Sequence, residues 1–236
     1  MKYAILAAGD GSRLMQEGEL TPKPLVKVGG EALIDRLLRV FMANDATEIA
    51  VICNSQMTAV VAYLDTIQKA GDIPLRLMVK STPSSMHSLW ELRRWLEDAP
   101  FILTTVDTIF REQEFTEYVH TFRSLTAQSA ADGLMGVTDY IDDERPLYVD
   151  ADDELQITGF TDTSDHPHYV SAGIYGLTPR CFEPLSRCVE RGEQRMRNFQ
   201  RSLVAEGFNL KAWPFSKVLD VDHVSDIQKA EKFLSL

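Results

Sequence analysis

The chain has 236 residues, 44% hydrophobic and 25% charged, which suits a globular α/β domain with its own core. Its 24 Lys and Arg against 35 Asp and Glu give a formal net charge of −11. No basic run interrupts that charge, so nucleic acid and membrane surfaces are excluded as expected partners.

No stretch approaches the ~20 apolar residues of a membrane span. The short apolar N-terminus is interrupted by Gly9 and Asp10, too early for a signal peptide. The three cysteines, Cys53, Cys181 and Cys188, fit no zinc spacing. Cys53 lies in an apolar run and reads as a buried thiol in a reducing compartment. The expectation is one cytoplasmic domain over 1–236.

Short apolar runs alternate with amphipathic segments. Residues 3–8 read as a buried strand, followed by a loop rich in Gly, Ser and Pro over 9–30. Leu33, Leu37, Val40 and Phe41 place a helix over 31–44. Strands follow at 48–54, 75–79 and 101–106, with helices at 57–70, closed by Gly71, and at 86–96. A helix over 112–127 and a strand over 133–138 come next. The segment 140–168, dense in Asp and Glu with strand-like pieces at 147–149 and 155–160, reads as a small β-ribbon excursion. A strand at 169–177, a helix opened by Pro179, a helix near 198–205, a strand at 210–214 and a helix at 224–234 complete the chain. This alternation predicts an α/β fold with a right-handed, mostly parallel sheet covered on both faces.

The strongest chemical signal directly follows the first strand, where an open α/β sheet binds ligands. Leu6, Ala7, Ala8, Gly9, Asp10, Gly11 and Ser12 lead into Arg13 and Leu14. Gly9 and Gly11 allow a tight bend that presents N–H groups to phosphate oxygens, and Arg13 adds a permanently charged fork. A glycine pair with an arginine is also common in plain strand-to-helix turns. Ten residues beyond Arg13, however, Pro22 and Pro24 fix the backbone around Lys23. A Walker A loop is excluded because Gly-Lys-Ser/Thr is absent, and the dinucleotide fingerprint is weakened because Leu14 replaces its third glycine.

Leu-Ala-Ala-Gly-x-Gly-Ser-Arg-Leu, then Pro-Lys-Pro-Leu-x-x-Val-Gly-Gly, resembles the signature of the nucleotidyltransferase family typified by sugar-1-phosphate nucleotidylyltransferases. The resemblance implies a Rossmann-like fold of GT-A type and transfer of a nucleoside monophosphate from an NTP to a phosphorylated small molecule, with release of pyrophosphate. It implies that residues 6–12 wrap the NTP phosphates, that Arg13 holds the departing pyrophosphate and that Lys23 stabilises the reacting phosphate.

Asp107 ends a buried strand, where a lone carboxylate is costly without a partner. It reads either as a helix N-cap or, by resemblance, as a ligand of Mg²⁺. Asp220 and Asp222 precede the last helix and alternate onto one side of an extended segment. The resemblance makes Asp220 the second metal ligand and leaves Asp222 as a candidate to join it, while Asp226 reads as first-turn helix charge. Two carboxylates with phosphate oxygens suit Mg²⁺ as the cofactor.

The acceptor side departs from the family. The segment 81–90 is rich in serine and closer to the pattern of phosphocholine cytidylyltransferases. Ser84 or Ser85 caps a helix there, and Ser85 is the candidate base contact. Where sugar-specific members carry Glu-Lys-Pro, this chain has Thr161-Asp162-Thr163, so Asp162 is the shortened counterpart of the glutamate. Gly173 lies in a strand where the family lets ligand approach closely. His166 and His168 read as solvated loop residues and not as a metal site.

A sugar-1-phosphate is the acceptor expected from the family. Phosphocholine or another alcohol phosphate is the alternative, because Asp139, Asp142, Asp162 and Asp165 would border the acceptor pocket and favour a neutral or cationic head group. A GT-A-type glycosyltransferase and a non-catalytic nucleotide-binding protein are further readings, and a homo-oligomer is left open. The implied partners are an NTP and a phosphorylated small molecule.

Overall fold

In the computed structural model, residues 1–142, 145–165 and 167–235 are described. The expectation for His166 lies outside them.

Strand β1 (Lys2–Ala7) leads into a five-residue helix, α1 (Ser12–Gln16). A 3-10 turn at Lys23–Leu25 and a hairpin of β2 (Lys27–Val28) and β3 (Glu31–Ala32) precede α2 (Leu33–Ala43). Next come β4 (Glu48–Cys53), α3 (Thr58–Ala70), β5 (Leu75–Val79), α4 (Ser85–Leu96) and β6 (Phe101–Thr105). They are followed by β7 (Thr108–Ile109), α5 (Glu112–Ala127), β8 (Gly133–Thr138), β9 (Tyr148–Ala151), β10 (Ile157–Thr161) and β11 (Tyr169–Leu177). A 3-10 turn at Pro179–Cys181 opens α6 (Phe182–Glu190), and the chain ends with α7 (Met196–Ala205), β12 (Leu210–Phe215), β13 (Leu219–Asp220) and α8 (Val224–Leu234).

The segment expected to be one loop, 9–30, therefore contains a short helix, a 3-10 turn and a strand. Each is too short to leave a periodic apolar pattern.

The centre of the nine-stranded sheet is parallel: β6, β1, β4 and β5 lie side by side in that order. Beyond β6 the sheet is antiparallel, because β11 returns against β6 and also pairs with β8 and β9. Strands β9 and β10 form the expected ribbon, and β12 closes the far side parallel to β8.

Alternation along β1 divides the core. Tyr3, Ile5 and Ala7 face α2, α3, α5 and α8, whereas Ala4 and Leu6 face α4, α6 and α7. On the first face Tyr3 stacks on Phe41 with ring centroids 4.3 Å apart, and Phe115 extends the cluster. Such burial on both faces explains why the central strands read as continuous apolar runs.

A separate two-stranded pairing sets up the site. Strand β13 lies antiparallel to β7, with Asp220 opposite Thr108, and the Val221 N–H donates to the Asp107 carbonyl. The end of the chain is thereby fixed beside the end of β6.

Candidate active site

The loop after β1 turns at Gly11, whose φ of 64° is left-handed. A Cβ there would lie 3.1 Å from Lys23 Cβ, so glycine serves both the turn and the seating of Lys23. Gly9 keeps an ordinary φ and has open space above it, so only one of the two glycines makes the bend. Asp10 Oδ1 accepts from the Ser12 N–H at 3.2 Å and holds the turn together.

Four charged side chains converge at this loop. Arg13 Nη1 donates to Asp222 Oδ2 at 2.8 Å. Lys23 Nζ is shared between Asp222 Oδ1 at 2.6 Å and Asp107 Oδ2 at 2.5 Å. Burial alone would lower the Lys23 pKa, but the Asp107 and Asp222 carboxylates more than offset it and hold the ammonium above its ordinary range. Lys23 is therefore a fixed cation at neutral pH.

Asp107 does not cap a helix: α5 starts five residues later, with Arg111 as its N-cap. The other oxygen of its carboxylate, Oδ1, is buried with no hydrogen-bond partner among the described residues. Asp220 stands beside the pair. Desolvation by the packed atoms around it, then the Asp107 and Asp222 charges, push its pKa up to about 8, although the residue is exposed at the surface. An orphaned carboxylate oxygen beside a second carboxylate fits a further cation in addition to Lys23. Among the described residues, no group of three or more His, Cys, Asp or Glu forms a ready cage.

Two clefts meet at these charges. The first, about 580 Å³, runs from the glycine loop to the start of α4 and includes Arg13, Lys23, Ser85, Asp107 and Asp222 in its walls. Leu6, Ala8, Gly9, Asp10, Gly11 and Ser12 also face it, but Ala7 is buried in the core and does not. Ser84 caps α4, accepting weakly from the His87 N–H at 3.4 Å, which leaves Ser85 free to face the cleft. The second cleft, about 240 Å³, lies between the ends of β8 and β11 and the start of α8. It contains Asp220 and shares Arg13 and Asp222 with the first.

Three expectations need correction. Asp162 borders neither cleft; its carboxylate is paired with Arg197 and Arg201 from α7, which hold its pKa below the usual range. Gly173 also borders neither cleft. Its φ of 71° falls between the part of β11 paired with β9 and the part paired with β6, so backbone conformation requires the glycine there. Asp226 is more than helix charge, because its Oδ2 accepts from the N–H groups of His223 at 2.8 Å and Asp222 at 3.2 Å.

Sequence reasoning also missed Asp222 as the anchor of both Arg13 and Lys23. It missed Glu17 as well, whose Oε2 accepts from the Val224 N–H at 2.8 Å and whose Oε1 meets His223 Nδ1, tying α1 to α8. The acid-rich spelling Asp-Val-Asp was the available signal for Asp222.

The fold and the site define a nucleotide-handling α/β protein. A model of the nucleotidyl transferase family matches residues 2–235, and the chain belongs to that family. Among solved structures it is similar to a protein assigned as a glucose-1-phosphate thymidylyltransferase from Bacillus anthracis, in complex with a sucrose. The TM-score is 0.84 at 22% identity, over 99% of this chain and 94% of that one. It is also similar to the inositol-1-phosphate CTP transferase of T. maritima (TM-score 0.75, 16% identity, 100% and 98% of the two chains). A third similar structure is the CTP:phosphocholine cytidylyltransferase of Streptococcus pneumoniae (TM-score 0.77, 18% identity, 98% of each chain). Among the described residues, no helix is long and apolar enough to cross a membrane.

Proposed function

We propose that the chain transfers a nucleoside monophosphate from an NTP to the phosphate of a phosphorylated small molecule and releases pyrophosphate, with Mg²⁺ as cofactor. The observation that carries this reading is the charge array Arg13–Asp222–Lys23–Asp107 at the junction of two clefts. The larger cleft suits the NTP and the smaller one the acceptor.

An acceptor phosphate oxygen attacks the α-phosphorus, the bond from that phosphorus to the bridging oxygen of the β-phosphate breaks, and pyrophosphate leaves with the electron pair. The acceptor oxygen is already anionic near neutral pH, so the chain needs no general base. Arg13 and Lys23 exchange their Asp222 contacts for phosphate oxygens. Lys23 acts as a point charge on the reacting phosphate and Arg13 as a fork on the departing pyrophosphate. Asp107 and Asp220 would hold Mg²⁺, with Asp222 able to join once its two cations turn to the nucleotide. The metal supplies charge neutralisation and alignment of the phosphates.

A sugar-1-phosphate is the acceptor class favoured by the family signature, and a cytidylyl transfer to an alcohol phosphate is the second reading, favoured by the serine-lined wall at Ser85. The test is pyrophosphate release from each common NTP with a panel of phosphorylated acceptors, with and without EDTA. Sugar transfer from a nucleotide sugar, or nucleotide binding without turnover, would replace this reading with one of the alternatives.

A further inference from the structure

The turn between β6 and β7 carries Asp107 between two threonines. Thr105 ends β6, Thr108 opens β7, and their hydroxyls meet at 2.7 Å. Thr105 faces the larger cleft, whereas Thr108 is buried. Pairing with β13 brings Asp220 to the same frame. The Val221 N–H donates to the Asp107 carbonyl, so Thr108 and Asp220, one step along, are opposite each other as a non-hydrogen-bonded pair. Side chains approach most closely in pairs of that kind, and here the Thr108 hydroxyl hydrogen-bonds the Asp220 carboxylate.

The count of protons fixes the direction of this chain. An ionised carboxylate only accepts, and each hydroxyl has one proton to give. Thr108 therefore donates to Asp220, and Thr105 donates to Thr108. Two threonines that only satisfied each other would leave one proton over; here that proton goes to Asp220. The backbone of β11 closes over the pair, because a Cβ on Gly173 would lie 3.4 Å from Thr108 Oγ1 and 3.8 Å from Thr105 Oγ1. Inside that enclosure the bond to a charged acceptor is stronger than it would be in water.

Resting on the reading of Asp220 as a ligand of Mg²⁺, we propose that Thr108 is a positioning residue: its hydroxyl, braced by Thr105, orients the Asp220 carboxylate to take the cation beside Asp107. The turn that carries Asp107 thereby also sets Asp220. One short segment fixes, relative to each other, two carboxylates that lie far apart in the sequence. Partners that orient a metal ligand without touching the metal govern affinity by about 10–100-fold.

The test titrates the full chain with Mn²⁺, an oxygen-seeking stand-in for Mg²⁺, and follows loss of the free-ion paramagnetic resonance signal. Thr108→Val should weaken Mn²⁺ binding by about tenfold or more, and Thr108→Ser, which keeps the hydroxyl, should bind close to wild type. Turnover of Thr108→Val should recover as Mg²⁺ is raised. Added to Asp220→Asn, Thr108→Val should cause no further loss of affinity, because the two act through one carboxylate. If Thr108→Val lowers the unfolding midpoint, Thr108→Ala removes the hydroxyl from the buried site without filling its place and repeats the measurement. Wild-type affinity in the hydroxyl-free variant, equal losses in the Val and Ser variants, or a full additional loss on Asp220→Asn would overturn the proposal and leave Asp220 a ligand. Wild-type affinity in Asp220→Asn would instead overturn the metal assignment on which the proposal rests.

Discussion

Lys23 and Asp222 are separated by 199 positions in the chain, and their side chains meet at 2.6 Å. The same Asp222 carboxylate holds Arg13, so the two cations assigned to the phosphates are seated by one residue before any phosphate arrives. For the reaction proposed above, this preorganisation would place positive charge where negative charge develops, which is the main electrostatic lever of a phosphate-transferring site.

The first prediction concerns Lys23 itself. Lys23→Met leaves Asp107, Asp220 and Asp222 together without their internal cation. This variant should bind Mg²⁺ or Mn²⁺ more tightly than wild type in calorimetry, yet turn over about 10²-fold more slowly. Unchanged metal affinity with full turnover would remove Lys23 from the site.

Asp107→Asn and Asp220→Asn should each abolish most activity while the protein stays folded, and EDTA should do the same to the wild type until Mg²⁺ is returned. Circular dichroism with a pyrophosphate assay checks both halves. Normal kcat in either variant at saturating Mg²⁺ would reassign the cofactor's ligands.

Arg13→Ala should lower kcat by about 10²-fold, because its fork is matched to charge that grows during the reaction. If KM for the NTP rises instead and kcat holds, Arg13 contributes uniform binding only.

Gly11→Ala introduces a side chain at a left-handed φ and 3.1 Å from Lys23 Cβ. The backbone cost is about 1–2 kcal/mol, visible as a lower unfolding midpoint. Displacement of Lys23 should reduce kcat as well. Gly9→Ala has ordinary φ and open space, so its stability should match wild type.

Arg39 on α2 joins Glu31 and Glu112, and hydrogen bonds from Arg39 hold both carboxyls below the ordinary 4.5. A carboxyl with a depressed folded pKa adds stability that is present above the unfolded value and is lost as pH falls through the folded one. The urea midpoint of the wild type should therefore decline below about pH 4.5. Arg39→Met should start lower at neutral pH and decline less across that range. Parallel curves would show that the network contributes nothing through these charges.

Much of this architecture was readable beforehand because its causes are local. Buried runs such as 48–53 and 101–105 announce strands, and the Leu33–Leu37–Val40–Phe41 spacing announces α2. The glycine loop, Lys23 and Asp107 stand out for the same reason: special backbone or costly charge marks them in isolation. What stayed hidden depends on distant partners. Asp162 looked available to a ligand because Arg197 and Arg201, one helical turn apart on α7, are remote in sequence. Asp142 looked like free negative charge because Lys229 lies on the last helix.

The two-residue pairing of β13 with β7 has a consequence for biosynthesis. A ribosome that has delivered the first 200 residues has delivered the glycine loop, both lysine-flanking prolines and Asp107, but neither Asp220 nor Asp222. The nascent chain can build its parallel strands early, and the contacts of highest sequence separation form last. A product truncated before that point would keep Asp107 beside Lys23 but would lack Asp222, the one carboxylate that Arg13 and Lys23 share.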